Sequence, residues 1–233
     1  MSRNGLFLGP PGCLALLLLF GLLVLVPIFL ANAAVTALAK LGLSPGVSLL
    51  ALIGIVVGGL INIPLYRLPT YLVVDAPAPQ LFGLDRLRPQ RTTFEEGFMV
   101  LAVNVGGCLV PLAIALYELV RLAGAGGGML LWTVLAVVIN VLLCQRLAKL
   151  LPGRGVALPP LLPALTAVLC AWILGGEMAA PVAFVAGVLG PLIGADLLNL
   201  PRVRQLGAPI ASIGGAGTFD GIVLSGLLAT LLA

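Results

Sequence analysis

The chain has 233 residues, of which 61% are hydrophobic, 9% are charged and none is histidine. A soluble domain carries about 25% charged residues, so the composition excludes an ordinary soluble class and indicates a membrane protein. The missing histidine excludes serine–histidine and cysteine–histidine catalysis, imidazole proton relays and histidine-ligated metal sites. Chemistry must then rest on carboxylates, amides, hydroxyls or thiols.

A helix needs about 20 apolar residues to cross the bilayer core. Apolar windows between turn and charge punctuation predict seven of them, at 13–39, 46–65, 98–121, 129–148, 157–175, 180–200 and 210–232. The expected fold class is an all-α polytopic transmembrane bundle, with 1–233 as a single domain. The first window follows Arg3 and ends near Ala31-Asn32-Ala33-Ala34. It is longer than a signal-peptide core, so it is expected to be retained as a span. Residues 66–96 read as a cytoplasmic loop rich in Pro and Arg, a solvated connector with a short extended segment at Tyr71–Val74. The glycines from Gly124 to Gly128 read as an outer turn.

Cys13, Cys108, Cys144 and Cys170 lie in apolar runs without a C-x-x-C pair and read as buried apolar side chains. The net charge of +4 comes from Lys and Arg spread between apolar runs. Seven spans place Arg3, Arg67, Arg86, Arg88, Arg91, Arg146, Lys149, Arg154, Arg202 and Arg204 on one side, leaving Lys40 and Arg121 on the other. Cytoplasmic loops retain Lys and Arg. The N-terminus is therefore expected inside and the C-terminus outside, in the cytoplasmic membrane. The expected partner is the lipid bilayer, with no nucleic acid, metal or cofactor; the oligomeric state stays open.

Ionisable groups at membrane depth are costly and mark function or pairing. Of the eight acids, Glu118 and Glu177 fall at outer helix ends and read as solvated. Only Asp196 and Asp220 fall inside predicted spans. Asp196 lies six residues before Arg202, roughly 9 Å along a helix. Asp220 follows Pro209 and the glycines at 214, 215 and 217, which break the first half of the last span; regular helix is expected from about Phe219. Irregular backbone at depth is tolerated only against protein or a water-filled cavity. Helices joined by a short loop are neighbours, so the two carboxylates are expected to face each other. Asn62, Asn104, Asn140 and Asn199 fall at the same depth. Taken singly, each is adequately explained as interhelical packing glue, and Asp220 as a helix N-cap.

The runs Leu192-Ile193-Gly194-Ala195-Asp196-Leu197-Leu198-Asn199-Leu200 and Gly214-Gly215-Ala216-Gly217-Thr218-Phe219-Asp220-Gly221-Ile222 resemble a prokaryotic membrane family known only as domain of unknown function sixteen-fourteen. Ile61-Asn62-Ile63-Pro64 and Asn104-Val105-Gly106-Gly107 are similar to it as well. More distantly, an Asp on one helix and Gly217-Thr218-Phe219-Asp220 on the next resemble the intramembrane aspartyl proteases of the presenilin, signal-peptide-peptidase and prepilin-peptidase group. Their motif is Gly-x-Gly-Asp, and this chain departs from it at Phe219. That resemblance implies catalytic roles for Asp196 and Asp220 on a membrane-embedded polypeptide.

Two carboxylates held close together in low dielectric share one proton. One can then activate water while the other polarises a carbonyl. Gly215, Gly217 and Thr218 would let an extended substrate approach the backbone, with Asn199, Asn62, Asn104 and Asn140 in support. The alternatives are a small-solute or ion-coupled transporter built on broken helices, and a membrane scaffold without chemistry.

Overall fold

The computed structural model describes residues 10–75, 92–151, 155–205 and 209–233. Four segments are long and apolar enough to cross a membrane: Leu18–Lys40, Val105–Gly124, Met129–Leu147 and Gly176–Arg204. They correspond to the helices α1 (Pro10–Lys40), α3 (Val110–Gly124), α4 (Met129–Leu147) and α6 (Ala179–Pro191), the last continued by a π-helical turn at Leu192–Leu197. Three shorter apolar helices join them, α2 (Pro45–Gly58), α5 (Leu161–Leu174) and α8 (Gly221–Leu232), while α7 (Leu200–Gln205) is a single short piece. At about 1.5 Å per residue the three short apolar helices extend roughly 18–21 Å, less than a hydrocarbon core of about 30 Å.

The bundle is built around α6, whose residues Pro181–Val188 are all buried. It packs against α8, α4, α5 and α3. Small residues permit the close approach that binds helices where lipid gives no hydrophobic drive: Gly187 abuts the Ser225–Gly226 backbone, and Gly190 abuts Asn140. By contrast α1 is peripheral. Its side chains from Leu18 to Leu30 are largely exposed, and only Ala34, Ala37, Leu38 and Leu41 are buried at its end. Lys40 Nζ there donates to Leu231 O at 2.7 Å, which fastens α1 to the last turn of α8. Exposed leucines along α1, α2, α4 and α5 give the bundle an apolar outer surface suited to lipid.

The helical bundle carries strands that the sequence reading assigned to helix or loop. Strands β1 (Asn62–Asp75) and β2 (Thr92–Asn104) form an antiparallel hairpin in register from Asn62 opposite Asn104 to Asp75 opposite Thr92. Residues 76–91, with Asp85, Arg86, Arg88 and Arg91, lie outside the described residues. Thus the helix predicted at 46–65 stops at Gly58, the one predicted at 98–121 begins as strand, and both described ends of the expected connector, 66–75 and 92–96, are paired backbone. Pro64 and Pro69 explain the first change, since proline removes a donor and breaks helix interiors. Tyr66, Tyr71, Val73, Val74 and, on β2, Thr92, Thr93, Phe94, Val100 and Val103 favour a pleated surface. A short strand β5 (Ile210–Ile213) runs parallel to β2, Val100 opposite Ile210 through Val103 opposite Ile213. A separate pair, β3 (Lys149–Leu151) and β4 (Gly155–Ala157), delays α5 to Leu161, four residues beyond the predicted start.

Glu118 is not a solvated helix end. It is fully buried and takes both its hydrogen bonds from Arg121 Nη1, at 2.9 and 3.0 Å. The same guanidinium donates to Leu41 O and lies 5.8 Å from the Tyr117 ring centroid. A charged pair thereby clamps the end of α1 to α3.

Candidate functional site

Three chain breaks meet beside α8. The chain leaves α2 at Gly58–Gly59, enters α3 through a π-helical turn at Val105–Leu109, and turns at Gly214–Gly217 before α8. Backbones approach so closely that a Cβ on Gly106 would collide with Ile55 and Gly59, and one on Gly107 with Gly214. Gly214 and Gly217 also hold φ of 68° and 61°, the left-handed region natural to glycine. Asn104 and Asn62 stitch this crossing. Asn104, fully buried, donates through Nδ2 to Gly59 O at 2.9 Å and to Asn62 Oδ1 at 3.2 Å, and its Oδ1 accepts from Gly107 N at 2.7 Å. Asn62 Oδ1 also accepts from Ser212 Oγ at 2.5 Å. These amides satisfy backbone groups that would otherwise be orphaned at depth.

The second π-helical turn, Leu192–Leu197, carries Asp196. Such a turn frees carbonyls from the regular helical ladder, and Asn199 Nδ2 takes two of them, Gly194 O at 3.1 Å and Ala195 O at 2.9 Å. Arg202 reaches only Asn199 Oδ1, at 3.5 Å, so it does not neutralise Asp196. Asp196 Oδ2 instead accepts from Gly214 N at 3.2 Å. Among the described residues its other oxygen accepts no hydrogen bond.

Asp220 is the N-cap of α8, with Oδ1 accepting from Ile222 N at 2.9 Å and Oδ2 from Ala216 N at 3.2 Å. The sequence reading placed regular helix from about Phe219; the first helical residue is Gly221. Asparagine caps about as well as aspartate, whereas alanine costs about 1 kcal/mol. Asp220→Asn is therefore expected to leave the unfolding midpoint unchanged, and Asp220→Ala to lower it by a few degrees in thermal denaturation of the solubilised protein.

Asp196 and Asp220 line one cavity of about 390 Å³. Its walls include Ser212 and Ile213 of β5, Gly215, Leu200 and Val203 of α7, and Val156 of β4. Of the other residues singled out from sequence, Gly215 lies on the cavity. Gly217 is buried against Gly59, and Thr218 Oγ1 donates to Ile55 O at 3.5 Å, so both belong to the chain crossing. Asn199, Asn62 and Asn104 hold the backbone around the cavity. Asn140 sits elsewhere, donating to Ala186 O at 2.8 Å where α4 crosses α6. Sequence reasoning passed over Ser212, a lone serine outside any motif whose only signal was its place just before the glycine run. Among the described residues no three Cys, Asp or Glu side chains gather closely enough to hold a metal ion.

Comparison with known proteins locates this core in a family. A family model described as a protein of unknown function (DUF1614) matches residues 56–232. The chain belongs to that family. The DUF1614 match runs from the end of α2 through α8 and so covers the chain crossing, both π-helical turns and both acids, while α1 lies outside it. No curated protein and no solved structure matches the chain.

Proposed function

We propose that this DUF1614 protein is a membrane-embedded aspartyl peptidase, with Asp196 and Asp220 as its catalytic pair. The observation that carries this reading is the placement of both carboxylates on one cavity beside an extended strand, without a basic partner among the described residues. The other buried carboxylate, Glu118, is held by Arg121, whereas these two are left for chemistry. The ionised carboxylate takes a proton from water as its oxygen attacks the scissile carbonyl, and the protonated one donates to the carbonyl oxygen. Collapse of the resulting diol breaks the C–N bond, and the departing amine takes up a proton. The individual roles belong to the pair, not to either residue. A membrane-embedded polypeptide is the natural substrate class, and a bacterial-type cytoplasmic membrane with the acids toward the inner side agrees with the distribution of basic residues.

The local hydrogen bonds on each acid support a rival reading, in which Asp196 and Asp220 only cap backbone at a scaffold. One experiment separates the two. The full chain is reconstituted in vesicles with a single-span reporter peptide, and products are read by mass spectrometry. Asp196→Asn and Asp220→Asn are each expected to reduce cleavage about a thousandfold or more while the protein stays folded. Cleavage that persists in either variant would overturn the peptidase and leave the scaffold.

A further inference from the structure

The sheet ends at the acids. Its strand order is β1-β2-β5, so β5 pairs with β2 along one edge and is the last strand on the other. All four of its residues, Ile210, Ala211, Ser212 and Ile213, line the cavity that holds Asp196 and Asp220. Successive side chains of a strand point to opposite faces. Four residues in a row therefore touch one space only where that space runs along the strand's outer edge.

The backbone of that edge is not used up. Pro209 O accepts from Val100 N at 3.0 Å, the first rung of the parallel ladder between β5 and β2. Rungs recur at every second residue, so Ala211 and Ile213 turn their backbone groups toward β2, and Ile210 and Ser212 turn theirs to the cavity. Ser212 O accepts from Gly215 N at 3.1 Å. Among the described residues Ile210 N–H, Ile210 C=O and Ser212 N–H make no backbone hydrogen bond. Such unpaired groups are a template for another strand. The edge is also reachable, since Ile210 is 61% exposed and Gly215 and Ala216 are exposed.

We propose that β5 is a docking strand, on whose free edge an extended polypeptide segment adds as a further strand of the sheet. The choice of a polypeptide rests on the peptidase reading. Direction and chemistry of the segment follow from the surroundings. The turn after β5 gives Gly214 N to Asp196 and Ala216 N to Asp220, so backbone laid along β5 runs to both carboxylates. Leu101, Val156, Leu200 and Val203 on the cavity walls favour apolar side chains, and the two acids disfavour acidic ones.

The test uses the full solubilised chain carrying Asp220→Asn, so that the probe is bound without being cut. The probe is an octapeptide of alternating valine and threonine, blocked at both ends and bearing one benzophenone side chain. After irradiation, crosslinks are mapped by mass spectrometry and are expected on residues 210–213. Ile210→Pro removes an outward donor and leaves the rungs to β2 in place, a position where a strand tolerates proline. It is expected to lower the crosslink yield at subsaturating probe about fivefold, the equivalent of one net hydrogen bond, while Ile210→Val stays within about twofold. A second series leaves the strand unaltered and replaces the probe's amides by esters, one at a time. Weakening is expected at every second position, because alternate N–H groups face the partner strand. Absence of crosslinks on β5, unchanged yield in Ile210→Pro, or equal sensitivity at every ester overturns the docking strand, even where the parent chain cleaves peptides. The expected pattern in a chain whose parent never cleaves upholds the docking strand and overturns the peptidase alone.

Discussion

Gly107→Ala is expected to prevent the chain from reaching its native fold. One added methyl group would occupy the space already held by the Gly214 carbonyl, and Gly217 lies on the same side. Neither neighbour is a side chain that can turn away, and both belong to the turn between β5 and α8. Relief therefore requires moving that turn away from a backbone that Asn104 fixes through Gly107 and Gly59. Overpacking of ordinary cores costs about 1–3 kcal/mol; a collision with backbone that cannot turn aside belongs to the exceptional class above about 4 kcal/mol. The matching control is Gly21→Ala in α1, where a Cβ meets nothing within 4 Å. Helix propensity there favours alanine by about 1 kcal/mol. Thermal denaturation and yield of monodisperse protein should place the two substitutions on opposite sides of the parent; a folded Gly107→Ala protein of parental midpoint would refute the close crossing.

Arg121→Ala should produce the next largest loss of stability. It leaves the fully buried Glu118 carboxylate without the one hydrogen-bond donor it has among the described residues and releases Leu41 O at the end of α1. Breaking a buried pair from one side costs about 3–5 kcal/mol, because the remaining charge has neither water nor partner. Replacing both members by apolar residues removes that orphan. Glu118→Leu with Arg121→Leu is accordingly expected to recover most of the midpoint lost by Arg121→Ala, a non-additivity that a double-mutant cycle measures. If the double substitution were as unstable as the single one, the loss would lie in the anchoring of α1 and not in the stranded charge.

The parts of this architecture legible in sequence are those set by composition and local signals. Spans α1 and α4 follow from uninterrupted apolar runs, and the late start of α8 follows from Pro209 and the glycines before Asp220. Scarcity of charge singled out Asp196 and Asp220 before any geometry was known. The hairpin was not legible because Ile61–Tyr66 and Phe98–Asn104 are short apolar runs without periodicity, which helix and strand share. Its pairing joins residues from 17 to 42 positions apart, and β5 joins β2 from more than a hundred positions away; no local preference encodes such partners. Glu118 was misread for the related reason that its burial depends on how α1 lies against α3. The amides were correctly noticed but could not be sorted: Asn140 and Asn104 look alike in sequence, and only the fold sends one to a helix crossing and the other to the chain breaks around the acids.

The π-helical turn at Leu192–Leu197 also bears on how this segment can vary. A π turn holds one residue more than regular α-helix needs over the same rise. Deleting a single residue there would let α6 continue without a bulge and rotate everything beyond it by about 100°. The heading of Asp196 toward the cavity thus rests on a supernumerary residue. Side-chain exchanges between Leu192 and Ala195 can preserve that heading, whereas a change of length by one cannot. The stretch should tolerate substitution and forbid indels, the reverse of what an exposed loop does.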